Sequence, residues 1–345
     1  MKKEKPTPFT QVMKALLDEE NPFPARYLYR LSDITEADMS LFEKTWGKLS
    51  FPRRQAVIED IQEFNENDYL LNYFKVGMLA IRDPDPHVRQ IAVLTLAEYE
   101  EDDVLVPLFV ELAESDPEVT VRAAAAAALG GAVEQGELEE IPASLLHQAE
   151  ECLLRISQGQ DAKVVRLNAL QALGYSSLDE VKPLIKAAYQ SQDVEWLAAA
   201  LTAMGRSYDR IWAADVLESL SDSHPLVRQE AATAAGELEL EDARPVLLKM
   251  LKEHESGLRQ AAIWALSQIG GNDVRDVLER MLESTSDDDE AELLDAALEN
   301  LEFTEGFAEL DLLELDEELE NLLADEEDEE DEEDDLDFIQ GDQEK

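Results

Sequence analysis

One dipeptide recurs along the chain, and each time it opens an alanine-rich, helix-forming stretch: Val88-Arg89, Val121-Arg122, Val165-Arg166, Val227-Arg228 and Leu258-Arg259. With Leu197 taken as a degenerate copy of the arginine, successive anchors lie 33, 44, 31, 31 and 31 residues apart. A recurrence of this length with helix-only composition is the signature of stacked helix pairs. One pair cannot bury its own apolar face, so several must stack, each touching only its neighbours.

The parts of each copy come in a fixed order. Asp85-Pro86 and Asp116-Pro117 read as an N-cap carboxylate and a first-turn proline, and Asp161, Asp193 and Ser223 take similar places elsewhere. Small residues follow the anchor at helical spacing (Ala125 and Leu129, Ala169 and Leu173, Ala231 and Ala235, Ala262 and Leu266), which lets two helices approach closely. Gly130, Gly174, Gly205, Gly236 and Gly270 then read as helix ends, where a left-handed cap costs least. The next helix is apolar at i, i+3 and i+4, as in Val246, Leu247, Met250 and Leu251.

Three of these features resemble the HEAT-repeat family, in particular the short bacterial variety called phycobilisome-lyase-type HEAT-like repeats. They are the Asp-Pro entry, the Val-Arg pair with trailing Ala-Leu-Gly, and the prolines Pro107, Pro183 and Pro245 in adjoining helices. The resemblance spans Asp85 to Gly271, somewhat over half the chain. It implies an armadillo-type superhelix with the first helix of each pair on the convex side and the second on the concave side. It also implies that the repeated Asp and Arg form a stabilising ladder, so that Arg89, Arg122, Arg166, Arg228 and Arg259 are structural.

Extended outward, this reading gives an all-α chain, a right-handed α-solenoid of about eight stacked antiparallel helix pairs with a disordered acidic C-terminal tail. The pairs are expected at 36–64, 68–98, 103–130, 143–174, 178–205, 209–236, 241–270 and 273–301. Residues 1–50 form an N-terminal helical cap, closed by Phe23, Tyr27, Tyr29, Phe42 and Trp46; 51–302 form the repeats; 303–345 form the tail. Pro52-Arg53-Arg54-Gln55-Ala56 keeps a trace of the motif, whereas 287–301 has lost Arg and Gly and reads as a terminal cap. Two irregularities stand out. The 44-residue step reflects an insertion over 130–142, a candidate contact loop, and Trp196-Leu197 replaces a Val-Arg pair.

Charge narrows the function. The chain of 345 residues carries a formal charge of −51, of which −29 lies between Asp287 and Lys345, leaving −22 for the rest. Phosphate binding draws on Lys and Arg clusters, so nucleic acid and anionic membrane are not expected partners. Cys152, the only cysteine, follows two glutamates on an apolar helix face and reads as a small buried hydrophobe. No apolar run follows the basic start, so neither signal peptide nor membrane span is expected and the cytoplasm is the expected compartment. The four histidines offer no metal-ligand spacing, and His254-Glu255 is the only His-Glu dipeptide, so no metal, no cofactor and no catalytic group is expected. The bilin lyases share the repeat type, and a chromophore-handling enzyme of that kind is the alternative by resemblance.

If the second helices line a groove, two rows of equivalent positions should follow it. Five residues after each anchor stand Leu94, Ala127, Gln171, Thr202, Thr233 and Trp264; one after stand Gln90, Ala123, Leu167, Ala198, Gln229 and Gln260. In so charged a chain these twelve positions hold no ionised side chain. They read either as a neutral groove for an extended peptide or partner helix, with Trp264 as its hot spot, or as interhelical packing. The expected function is therefore a non-enzymatic scaffold or adaptor for a protein partner. In the tail, residues 307–324 can make an amphipathic helix (Phe307, Leu310, Leu313, Leu315, Leu319, Leu322, Leu323), and Asp325 to Asp335 is an unbroken run of carboxylates. That tail is either a solubiliser or an electrostatic lure for a basic protein, which leaves an acidic chaperone for basic clients as a further alternative.

Overall fold

The computed structural model describes residues 7–68 and 70–303; the tail readings at 307–324 and 325–335 lie outside them. The described residues form helices joined by short turns, with no strand among them. They divide into two compact units, Met1–Trp212 and Ala213–Lys345.

In the first unit, α1 (Phe9–Leu16) and a short 3-10 turn precede the pairs α2 (Glu36–Trp46) with α3 (Phe51–Asn67) and α4 (Phe74–Ala80) with α5 (Pro86–Leu96). There follow α6 (Asp102–Ser115) with α7 (Val119–Glu137), α8 (Ala143–Gln158) with α9 (Lys163–Ala172), and α10 (Val181–Tyr189) with α11 (Val194–Arg206). The second unit holds α12 (Ala213–Ser219) with α13 (Pro225–Glu237), α14 (Arg244–Met250) with α15 (Ser256–Ile269), and α16 (Asn272–Ser284) with a last helix, α17, over 288–303. A helix pair stands at each place the repeat predicts, and within each unit the repeats stack as a solenoid does. Within the first unit the second helices α3, α5, α7, α9 and α11 pack in succession, and within the second α13 packs on α15.

The anchor dipeptides explain the packing. Val88, Val121 and Val165 are fully buried, and Val227 and Leu258 are 1% exposed. The alanines behind them, including Ala125, Ala169, Ala231 and Ala262, are also fully buried. Side chains this small leave little between the second helices, which keeps them close. At the N-terminal end Phe23, Tyr27, Phe42 and Trp46 are buried, while Tyr29 is 54% exposed and meets Phe64 edge-on at 5.5 Å. Arg53, itself buried, donates to the carbonyls of Asp18 and Asn21 and ties the segment after α1 to α3.

Three local readings are corrected. The glycines mostly do not cap: Gly130, Gly205 and Gly236 lie inside α7, α11 and α13, and only Gly270 takes a left-handed conformation, at φ 67°. Besides Asp33 at φ 49°, the left-handed non-glycine residues described are Glu139, Tyr208 and Glu239, each three places beyond a helical glycine, at φ 62°, 50° and 49°. The Glu140 and Leu240 N–H groups close those ends on the carbonyls of Gln135 and Ala235 at 2.8 and 2.9 Å. The glycines instead permit contact: a Cβ at Gly236 would stand 2.8 Å from Ala265 Cα, and one at Gly174 2.8 Å from Ala203 Cα.

Secondly, the 130–142 insertion is largely helix. α7 continues through Gly130 and Gly131 to Glu137, because alanine, valine and glutamate sustain a helix whose face is still buried at Val133 and Gly136. Thirdly, the copy of Asp116-Pro117 is Asp83-Pro84, six residues before its arginine, and not Asp85-Pro86. Asp85 does cap α5, accepting from the N–H groups of His87 and Val88 at 3.0 and 3.2 Å. Asp83 and Asp116 have another use, given below.

Cys152 is fully buried in α8, and burial, with the Glu114 carboxylate beside it, pushes its thiol up to about 12. Ellman's reagent at pH 8 is therefore expected to leave the native chain unmodified and to count one thiol after unfolding. A thiol that reacts in the folded chain contradicts this packing.

Candidate functional site

Two systems of side chains repeat along the second helices: an arginine system at their starts and the neutral rows behind it. The arginine system is built the same way at each full copy. In Arg89, Nε and Nη2 both reach the Asp116 carboxylate at 2.8 Å, while Nη1 donates to the carbonyls of Asp83 and Pro84 at 2.9 and 3.2 Å. Arg122 repeats the pattern one copy on. It grips Asp161 at 2.9 and 2.7 Å and the carbonyls of Asp116 and Pro117 at 2.7 and 3.2 Å. Asp116 thus serves two arginines, by side chain to one and by backbone to the other. Forked, two-point pairing of this kind is a property of guanidinium that lysine lacks.

Arg54, which the sequence offered only as a trace of the motif, makes the same kind of pair: its Nε lies 3.0 Å from Asp83, with both side chains buried, and Nη1 donates to the Leu49 carbonyl. Asp83 also accepts the Trp46 indole N–H at 2.7 Å. In the second unit Arg259 pairs with Glu290 at 2.8 Å and binds the carbonyls of Glu253 and His254. Arg228 binds the carbonyls of Asp222 and Ser223, with no acid at ion-pair distance among the described residues. Arg166 departs further: among the described residues its one hydrogen bond is from Nε to the Ser157 carbonyl, at 3.2 Å, and its guanidinium lies over the Trp196 ring.

These pairs shift the acids. The Arg122 hydrogen bond holds Asp161 below its ordinary value, and the Arg259 bond does the same for Glu290. Burial works against Asp116, yet its bonds from Arg89 and from the Glu118 N–H outweigh that and hold it low as well. A carboxylate lowered on folding stabilises the folded state above its unfolded value, about 4, and the benefit is lost as pH falls through the folded value. Asp161→Asn is therefore expected to cost about 2 kcal/mol at pH 7, with a deficit that shrinks toward zero on acidification. A deficit that stays constant down to pH 2 contradicts the pairing.

Within each unit the members of the neutral rows lie at different depths. In the first unit Gln171 Nε2 donates to Thr202 Oγ1 at 3.2 Å, which joins these two members of the row five after the anchor. Leu94 and Ala127 in that row are exposed, Gln171, Thr233 and Trp264 are half-buried, and Thr202 is 8% exposed. In the other row Gln260 is exposed, Gln90, Leu167 and Gln229 are half-buried, and Ala123 and Ala198 are buried. Trp264, expected on an open helix face, is instead seated in a notch. Its Cζ3 lies 2.6 Å from where a Cβ of Gly236 would be, and Gln229 Oε1 lies 2.5 Å from the corresponding point at Gly257. The rows therefore serve packing and surface together, which sequence spacing could not separate.

Elsewhere on the first unit a cleft of about 790 Å³ is lined by the carboxylates of Asp33, Glu98, Glu100 and Glu101, with Tyr99 and the 90% exposed Leu70. Among the described residues no three His, Cys, Asp or Glu side chains converge as a metal-ion set, and no helix is long and apolar enough to cross a membrane. The His87 imidazole meets Glu59 at 2.6 Å.

The sequence profile for HEAT repeats matches residues 54–148 and 213–301, just over half of the chain. No curated protein matches it by sequence. Among solved structures it is similar to YibA of Escherichia coli, at 17% identity and a TM-score of 0.39 over 88% of this chain and 99% of that one. It is similar to importin beta at 15% identity and a TM-score of 0.40, over 85% of this chain and 44% of that one. Human deoxyhypusine hydroxylase is similar at 16% identity and a TM-score of 0.34, over 76% and 95% of the two chains.

Proposed function

Because the chain belongs to the HEAT-repeat family, we propose that it is a non-enzymatic scaffold, binding a protein partner as an extended peptide or a helix on the faces of its second helices. The observation that carries this reading is that the twelve positions of the two rows hold no ionised side chain in a chain of net charge −51. Charged side chains are depleted where protein partners bury surface, and a neutral strip suits a peptide backbone with apolar or amide side chains. Leu94, Ala127 and Gln260 are the exposed members of the two rows and offer the points of first contact. Trp264, held in place by Gly236, offers a rigid aromatic edge that needs no ordering on binding.

In this reading the arginine pairs are rungs that fix the spacing of the helices, and they take no part in recognition. Acidic groups set the partner's charge. The cleft at Asp33, Glu98, Glu100 and Glu101 and the acidic C-terminal segment both favour a partner with basic flanks. They repel nucleic acid and anionic membrane alike.

The test compares the full-length chain with one ending at Phe303 in affinity capture from the native host, after nuclease treatment and across a salt series. The reading expects one partner held by both, with the full chain losing affinity faster as salt rises. A partner held only when the tail is present, and washed off by moderate salt, overturns it in favour of an acidic lure.

A further inference from the structure

The copy in which Trp196-Leu197 stands for Val-Arg also disturbs the copy before it, and a cavity of about 240 Å³ has opened there. At Arg89 and Arg122 an acid from the next copy fills the guanidinium fork, and at Arg54 the Asp83 carboxylate lies 3.0 Å from Nε. For Arg166 the place six residues before the next anchor holds Ser191 and no acid, and the nearby Asp193 is taken: both its oxygens lie 2.6 Å from Lys163 Nζ, and it caps the Glu195 N–H. The Arg166 guanidinium therefore keeps only the Nε bond to the Ser157 carbonyl, and neither Nη has a hydrogen-bond partner among the described residues.

Trp196 makes the second difference. The equivalent Val88, Val121, Val165, Val227 and Leu258 are buried in the core, whereas Trp196 is half-buried and lies under the Arg166 guanidinium, 5.1 Å from carbon to ring centroid. That contact holds the guanidinium plane without using its N–H groups. Ser157, Leu184, Ala187 and Ser191 complete the wall, over a floor of fully buried or nearly buried Leu170 and Ala188. The cavity is smaller than the roughly 300–1,000 Å³ that takes a drug-sized ligand, and it suits a group the size of one amino-acid side chain.

We propose that this cavity is a binding site for a carboxylate carried on an apolar group: one acidic or chain-terminal residue of a docked peptide. The two free Nη groups of Arg166 supply forked hydrogen bonds to the carboxylate, the Ser191 hydroxyl, which accepts from the Asp193 N–H at 3.1 Å, can donate its own hydrogen at the rim, and the aliphatic floor takes the apolar part. None of its lining residues belongs to the two neutral rows, so the site stands whether or not those rows bind a partner. The chain's net negative charge opposes an anion only at long range, and screening within about 8 Å at physiological salt removes most of that. Binding here is accordingly expected to be insensitive to salt or to strengthen slightly with it, the reverse of an acidic lure.

The test uses the full-length protein labelled with 15N and follows the indole N–H signal of Trp196, assigned with Trp196→Phe. Two carboxylates are titrated in separate arms: N-acetyl-leucine, which presents a terminal carboxylate, and N-acetyl-aspartyl-phenylalaninamide, which presents a side-chain one. N-acetyl-leucinamide is the neutral isostere. The proposal expects a saturable shift of the Trp196 signal by at least one carboxylate, at least tenfold weaker for the amide and at least tenfold weaker in Arg166→Gln. The stronger arm identifies which end of a peptide docks. Ala187→Leu fills the cavity with Arg166 retained and is expected to abolish the shift, which guards against a folding defect in the first variant. Equal shifts from acid and amide, an unchanged response in either variant, or no saturable shift from either carboxylate overturns the proposal.

Discussion

Asp116→Ala is expected to destabilise the first unit by about 3–5 kcal/mol, the cost of removing one partner from a buried ion pair. The Arg89 side chain is only 12% exposed and Asp116 4%, so the guanidinium left behind keeps two carbonyl contacts but no counter-charge. The substitution also removes the acceptor of the Glu118 N–H, at 2.9 Å, at the start of α7. Replacing both partners by apolar residues of similar volume, Arg89→Met with Asp116→Leu, is expected to recover much of the loss, because no buried charge is then stranded. Stacked repeats open in parts, so a single melting temperature is a poor reporter. Hydrogen exchange is the proper measurement, with protection lost first in α5 and α7. Exchange unchanged by Asp116→Ala would mean that the pair does not hold these helices together.

Gly174→Ala comes second, and the sign of its effect is set by what a methyl group meets. At Gly174 the new Cβ would lie 2.8 Å from both Ala203 Cα and Ala203 O, backbone atoms that cannot rotate away, and 3.0 Å from Arg206 Cβ. Relief requires separating the turn after α9 from α11, and overpacking of this kind costs about 1–3 kcal/mol or more. Gly131→Ala is the control in the opposite direction. A Cβ there meets nothing within 4 Å, and the residue lies inside α7, so alanine is expected to stabilise by about 0.5–1 kcal/mol. Chemical denaturation followed by circular dichroism separates the two. Equal effects of the two substitutions would mean that helix propensity, and not close contact, governs the glycines.

This contrast shows why the repeat was legible and its details were not. The period, the buried Val of each Val-Arg pair and the forked arginine are spelled directly in the residues, because each is a side chain doing one thing. Glycine is spelled the same whether it caps a helix or lets two helices touch. The residues that turn left-handed, Glu139, Tyr208 and Glu239, carry no local mark. The tandem Asp83-Pro84-Asp85-Pro86 offered two registers, and the choice depends on which acid reaches the preceding arginine, here Arg54. Arg54 itself was obscure because its copy begins with Phe51-Pro52 and lacks the valine. Along the neutral rows, spacing gave the alignment that joins Gln171 to Thr202, but depth follows from how far a neighbouring helix covers each site. The Arg166 cavity had a visible cause in Trp196-Leu197, yet nothing in the sequence told that Lys163 would occupy Asp193.

The claim that a partner is recognised on the second-helix faces is tested most directly by photo-crosslinking. A benzophenone amino acid is placed singly at Leu94, Ala127 or Gln260 on the second helices, and at Lys186 or Lys249 on exposed first-helix positions, in the full-length chain in its native host. The account predicts that the same protein is captured from the second-helix positions and not from the two lysines. Capture from Lys186 or Lys249 with none from Leu94, Ala127 and Gln260 would contradict it.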